Sequence, residues 1–243
     1  MKAKEIVEFL DRELRIAEIE DLSLNGLQVE GKKEINRVGF AVDGSYETLL
    51  SGKENGVDML VVHHGIFWGK PETICGPIYQ KLKVLIENQI SLYAAHLPLD
   101  IHPTLGNNAQ IAKIVLETCG RQIGDYGYIA EVDIELSEVT RRIESRLETK
   151  CKVYPCGKES LKKIAISSGG GASMLPLAIK EGADLFITGE PRLSSYFLAK
   201  ESGINLIFCG HYATETVGIK ALMAEIQKRF DLDCLFLDLP VDI

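Results

Sequence analysis

The chain has 243 residues, about one and a half average domains, so one large domain or two compact lobes both fit. With 46% hydrophobic and 26% charged residues and a mean hydropathy of +0.05, it carries enough apolar surface for a real core, which excludes disordered, fibrous and collagen-like chains. Twenty-seven basic against 35 acidic residues leave a net charge of −8, which argues against non-specific adhesion to nucleic acid or to an anionic membrane.

The opening stretch, MKAKEIVEFLDRELRIAEIEDL, places Ile6, Val7, Phe9, Leu10, Leu14 and Ile16 at near-helical spacing and predicts a helix within residues 3–19. It is amphipathic and acidic, unlike a secretory signal peptide, and no apolar run in the chain reaches the ~18 residues of a spanning helix. A cytoplasmic protein with no membrane partner is the expectation. NGLQVEG (25–31) reads as a turn and a short strand. From residue 37 the pattern is strand, helix, strand: RVGFAVD, SYETLLSGKENG and VDMLVVHHG. The continuous runs VGFAV and MLVV predict strands buried on both faces, as in a sheet covered by helices. PIYQKLKVLIENQ and ISLYAAHLPLD add a helix and a further strand.

The same phrase returns 126 residues later as KIAISSGGG, ASMLPLAIKEG and ADLFITGE, without a gap against residues 38–64. Val38 meets Ile164, Leu49 meets Leu175, Gly56 meets Gly182, Asp58 meets Asp184, and His64 meets Glu190. SSYFLAKESG and INLIFCGHYATE then repeat the following helix and strand. This pattern predicts an α/β fold of two related lobes from an internal duplication, residues 1–120 with the N-terminal helix and residues 121–243. YGYIAEVDIELSEVTRRIESRL predicts a strand and a helix in a short linker region at about 121–160. No Pro-rich or low-complexity hinge interrupts the chain, so the lobes are expected to pack as one rigid unit with a site in the cleft they share.

Four of the five histidines fall at the ends of these repeat strands. His63 and His64 end VDMLVV, His96 ends SLYAA with Asp100 four residues on, and His211 ends INLIFCG with Glu215 four residues on. Strand carboxyl ends are where open α/β sheets place their ligand sites. Imidazoles and carboxylates suit borderline divalent ions such as Zn, Fe, Mn or Ni, whereas a structural zinc site would use thiolates. The six cysteines are scattered with no C-x-x-C pair and read as buried or free thiols. So many ligands exceed what one tetrahedral ion needs, and a pair of ions with open positions for water uses them better. Glu190, in the place of His64, reads either as a general base beside such ions or as a capping carboxylate before the helix that follows Pro191. His102 falls outside the pattern. Asp43 and SSGGGA (167–172) sit at strand-to-helix turns, where bare N–H groups could hold an anion, although a tight turn explains the glycines equally.

HHGIFW (63–68), AAHLPLD (94–100), GNNAQIA (106–112), ITGE (187–190) and GHYATE (210–215), in this order, resemble the Nif-three-like proteins, also called GTP cyclohydrolase 1 type 2 homologues. NGLQVEG is similar to the family's N-terminal motif, and the resemblance covers essentially the whole chain. It implies two divalent metal ions per chain held by His63, His64, Asp100, His211 and Glu215, with His96 at the edge of the site. It implies a toroidal homohexamer, and with only a short linker between the halves the chain looks like the family's short form. The resemblance further implies a hydrolase that opens a guanine-like ring of a nucleotide or small heterocycle, with Glu190 or His96 moving the proton. The alternative is a non-catalytic metal-binding adaptor, or a metal- or cofactor-handling protein working through protein partners.

Overall fold

In the computed structural model, which describes residues 1–241, the chain opens with helix α1 (Ala3–Glu13) and strand β1 (Gly26–Val29). Helix α1 buries Ile6, Phe9 and Leu10 and ends earlier than its apolar spacing predicts. Arg15 turns into the left-handed region at φ 54°, and the backbone leaves the helical path there. The two apolar runs become β2 (Arg37–Asp43) and β3 (Met59–His64), each buried along nearly its whole length. Between them lies α2 (Tyr46–Glu54), whose N-cap Ser45 accepts a hydrogen bond from the Thr48 amide. Helix α3 (Gly76–Glu87), with Pro77 in its first turn, leads to β4 (Ser91–Ala94).

Strands β2, β3 and β4 run parallel and in order, and β1 adds antiparallel to β4 as an edge strand. The crossovers through α2 and α3 pack side by side on one face of this sheet, with Leu49 and Leu85 in the same core as Leu60 and Leu92. The alternate residues Val38, Phe40, Val61 and Tyr93 are buried as well, so the strands have no polar face.

The second half begins with the single turn α4 (Leu97–Asp100), α5 (Asn107–Val115), β5 (Arg121–Ile123) and β6 (Gly127–Glu135). There follow α6 (Leu136–Arg146), β7 (Lys152–Tyr154), β8 (Ser160–Ser167), a 3-10 turn at Gly171–Met174, and α7 (Leu175–Lys180). Strand β9 (Leu185–Thr188), α8 (Leu193–Ser202), β10 (Asn205–Phe208), α9 (His211–Phe230) and β11 (Asp233–Phe236) complete the chain. The second sheet has the order β5-β6-β8-β9-β10-β7, with β8, β9 and β10 parallel.

Two related α/β lobes are therefore present, and β2-β3-β4 and β8-β9-β10 are the duplicated frame. The repeat extends to a shared structural duty. Asp58 accepts hydrogen bonds from the Asn36 and Arg37 amides at 2.8 and 3.2 Å, and from Lys32 Nζ at 2.6 Å. Its counterpart Asp184 accepts from the Lys162 and Lys163 amides at 2.8 and 3.0 Å. In both lobes an aspartate at the start of one strand ties down its neighbour, which explains the repeated G-x-D without any chemistry.

Two features differ from the sequence reading. Residues 121–160 are no linker: β5, β6 and β7 are built into the second sheet, and β6 pairs with β8 over most of its length. The compact units also depart from the halves 1–120 and 121–243. The first comprises Met1–Leu99 together with Ile219–Leu239, and the second is built on Asp100–Gly218. The cause is β11, which pairs in parallel with β2 and so closes the first sheet on its far edge. Among the described residues, no helix is long and apolar enough to cross a membrane.

Candidate metal centre

In the first unit three imidazoles converge where β3 and β4 end. His63 is fully buried, and its Nδ1 lies 2.8 Å from the Ala95 carbonyl oxygen. A carbonyl can only accept, so Nδ1 carries the proton and Nε2 the lone pair. His64 Nδ1 donates in the same way to Asp43 Oδ1 at 2.8 Å, and His96 Nδ1 donates to both oxygens of Asp21 at 3.0 Å. The rings pack with centroids 4.7 Å (His63–His64), 5.1 Å (His63–His96) and 5.5 Å (His64–His96) apart. One ring nitrogen from each lies within 4.8 Å of the other two. This is how ligating histidines are held: an acceptor on one nitrogen fixes the tautomer and turns the other toward the ion.

Asp21 anchors this arrangement. Its side chain is 3% exposed and also accepts from the Ser23 and Leu97 amides and from Asn25 Nδ2. Burial pushes its carboxyl up, but the His96 imidazole, Asn25 and the Ser23 amide outweigh it and hold the pKa down at about 2. Asn25 in turn accepts from the His96 backbone amide at 2.7 Å.

In the second unit His211 opens α9, and Glu215 lies one turn on along the same helix, its Oε2 3.1 Å from His211 Nε2. Glu190 Oε1 lies 2.5 Å from His211 Nδ1. The imidazole is thus flanked by two carboxylates. Burial lowers its pKa, but Glu215 and then Glu190 raise it further, to about 9. Without a cation the imidazolium proton balances these carboxylates, and a divalent ion could take that proton's place. Asp100, also buried, accepts from Asn107 Nδ2 at 2.8 Å and from Ser168 Oγ at 3.1 Å.

The glycines of SSGGGA explain how the loop after β8 fits against this helix. Gly169 has φ +55°, and a Cβ there would overlap the Glu215 carboxylate and come within 2.9 Å of His211 Nε2. Glycine is required both for the backbone conformation and for the space. The loop accommodates the candidate ligands, and nothing in it calls for a bound phosphate.

The structure thus brings His63, His64 and His96 together in one unit, and Asp100, His211, Glu215 and Glu190 onto neighbouring elements of the other. Glu190 is not the cap of α8, whose N-cap is Arg192. His102 accepts backbone amides of its own turn, from Thr104 and Leu105, and lies outside the candidate ligand groups found among the described residues. Sequence reasoning missed Asp21, Asn25, Asn107 and Ser168, and gave Asp43 no histidine partner. NGLQVEG and GNNAQIA carried a signal for Asn25 and Asn107; nothing short-range marked Asp21.

The donor set fits a borderline divalent cation. It offers imidazole nitrogens with fixed tautomers and buried carboxylates, and no cysteine lies within these clusters.

A family model described as Duf34/NIF3 (NGG1p interacting factor 3) matches residues 1–241. The chain is 42% identical over 251 residues to a protein of Pyrococcus horikoshii named GTP cyclohydrolase 1 type 2 homolog, covering all of both chains. It is 40% identical over 250 residues, again covering all of both, to a protein of the same name from Archaeoglobus fulgidus. A solved structure described as protein ybgI, of unknown function, superposes with a TM-score of 0.95 at 37% identity, covering all of both chains.

Proposed function

The chain belongs to the Duf34/NIF3 family, and from that premise we propose that it is a metal-dependent hydrolase with a dinuclear centre acting on a nucleotide or related heterocycle. The observation that carries this reading is the treatment of the four histidines. Each has Nδ1 on an acceptor, namely Ala95 O, Asp43, Asp21 or Glu190, which fixes the ring and, in His211, sets Nε2 3.1 Å from the Glu215 carboxylate. Structural histidines in a core do not need four separate devices of this kind; ligands do.

His63, His64, Asp100, His211 and Glu215 would hold the ions, with His96 the third imidazole of its cluster. When bound, divalent ions supply Lewis acidity, lowering the pKa of water and polarising the bond to be hydrolysed. The remaining duties fall to the chain's own groups. Asp21 fixes the His96 ring, and where no ion takes its Nε2 that nitrogen can accept and return a proton. Glu190 keeps the His211 ring in place, and its second oxygen is a further proton acceptor. Support for a guanine-like substrate comes from the relatives' name alone, so the class is set no more narrowly than a nucleotide or heterocycle with a hydrolysable ring bond. The family resemblance also implies a homohexamer, which native mass spectrometry reads directly.

The test is elemental analysis of protein purified without an affinity tag, beside Glu215→Ala, followed by a hydrolysis screen of nucleotides and cyclic amides. About two ions per chain, a sharp loss in the variant and ring opening in the screen support the reading. No uptake of zinc, manganese, iron or nickel overturns it. Uptake without turnover leaves a metal-handling protein in its place.

A further inference from the structure

Trp68, the only tryptophan of the chain, stands beside the three-imidazole cluster. Its ring lies edge-on to His96, with centroids 5.0 Å apart, and 6.0 Å from His64. The indole is fixed rather than loose. Its Nε1–H donates to the Gly65 carbonyl at 3.0 Å, and its backbone bridges to Ser23 in the loop that carries Asp21. Further backbone bonds, Leu24 N to Phe67 O and Gly69 N to Leu22 O, tie the same two segments together. Yet 37% of Trp68 stays exposed, and Leu22 and Leu24 beside it are exposed at 74% and 55%. A large aromatic ring with its polar atom satisfied, held rigid and left open to solvent at the rim of a ligand cluster does little for the core. Immobilising it beforehand removes the entropy cost of presenting an apolar platform to a ligand.

We propose that Trp68 is a substrate-positioning residue that stacks on the planar ring of a purine-like heterocycle and presents that ring to the His63–His64–His96 cluster. The inference rests on the heterocyclic substrate class given above, but not on the presence of metal or on turnover. Stacking fits the chemistry here because aromatic rings bind any base through its π-face, and the flanking Leu22 and Leu24 add apolar contact without selecting a base edge.

As the sole tryptophan, Trp68 reports on itself. Guanosine monophosphate titrated into the chelator-treated full-length protein should quench tryptophan fluorescence saturably, and ribose 5-phosphate, with the same sugar and phosphate but no ring, should not. Trp68→Leu should weaken guanosine monophosphate binding in equilibrium dialysis by roughly five- to a hundredfold, the range expected for loss of one base–aromatic stack. Trp68→Phe, which keeps an aromatic face but loses the bond to Gly65, should recover most of it. Three results overturn the proposal: no quenching by the nucleotide, equal quenching by ribose 5-phosphate, or a phenylalanine variant as impaired as the leucine one. Failure of the hydrolase reading would show differently, as ring-dependent quenching with no turnover in metal-loaded protein.

Discussion

Asp21 and His96, 75 residues apart in the chain, meet with both carboxylate oxygens 3.0 Å from one imidazole nitrogen. The carboxylate makes Nδ1 the protonated nitrogen and leaves Nε2 to act. Asp21→Asn is nearly isosteric but offers an N–H where the ring needs an acceptor, so the amide must turn over or the imidazole must change tautomer. Asp21→Asn should therefore lower metal affinity about 10- to 100-fold, the usual cost of losing such a supporting carboxylate. Competition against a chromophoric chelator measures it. An unchanged affinity would show that His96 takes no part in holding the ion.

Glu190 separates two roles that the sequence left open. As the partner of His211 Nδ1 at 2.5 Å it needs an acceptor oxygen, which glutamine also has. As a proton carrier it needs the carboxylate itself. Glu190→Ala should weaken metal binding about tenfold or more, whereas Glu190→Gln should retain most of it. If Glu190→Gln also keeps full turnover, the residue only positions His211. A loss of turnover with metal retained would make it a base.

The duplicated frame was readable because its signals are local and repeated: unbroken apolar strands, G-x-D before each second strand, and histidines at strand ends. What stayed hidden depends on pairings between distant segments. Asp21 lies in the acidic run EIEDL at the end of the amphipathic opening stretch, and only the fold carries it to His96. β11 is four residues of no special pattern, and its place beside β2 rests on a parallel register, Cys234 opposite Val38, that no turn sequence announces. β5 and β7 are three residues each, too short for alternation to show, so the stretch that holds them read as a linker.

Gly169 should not tolerate a methyl group. Its φ of +55° is unfavourable for any side chain, and the Cβ would strike Glu215. Gly169→Ala should cost about 1–3 kcal/mol of stability and displace Glu215, lowering metal occupancy as well. Gly182, also at positive φ but with open space where a Cβ would stand, is the control. Gly182→Ala should lower the melting temperature while leaving metal content unchanged. Equal metal content in both variants would refute the spatial argument.

Asp58 ties the start of β2 to the sheet and gives the fold a dependence on acid. Burial pushes its carboxyl up, but Lys32 and the Asn36 and Arg37 amides outweigh this and hold it below the usual carboxylate range. Because the folded-state pKa is depressed, this contribution is fully present above the unfolded value of about 4 and disappears as pH falls through the lower folded value. Asp58→Asn, which keeps one acceptor oxygen but loses the charge, should be less stable than the parent by about 1–2 kcal/mol near neutral pH. Urea unfolding at descending pH should show the two converging below about pH 4. A gap that stays constant to low pH would mean that the carboxylate's charge contributes nothing and that only its shape and hydrogen bonds matter.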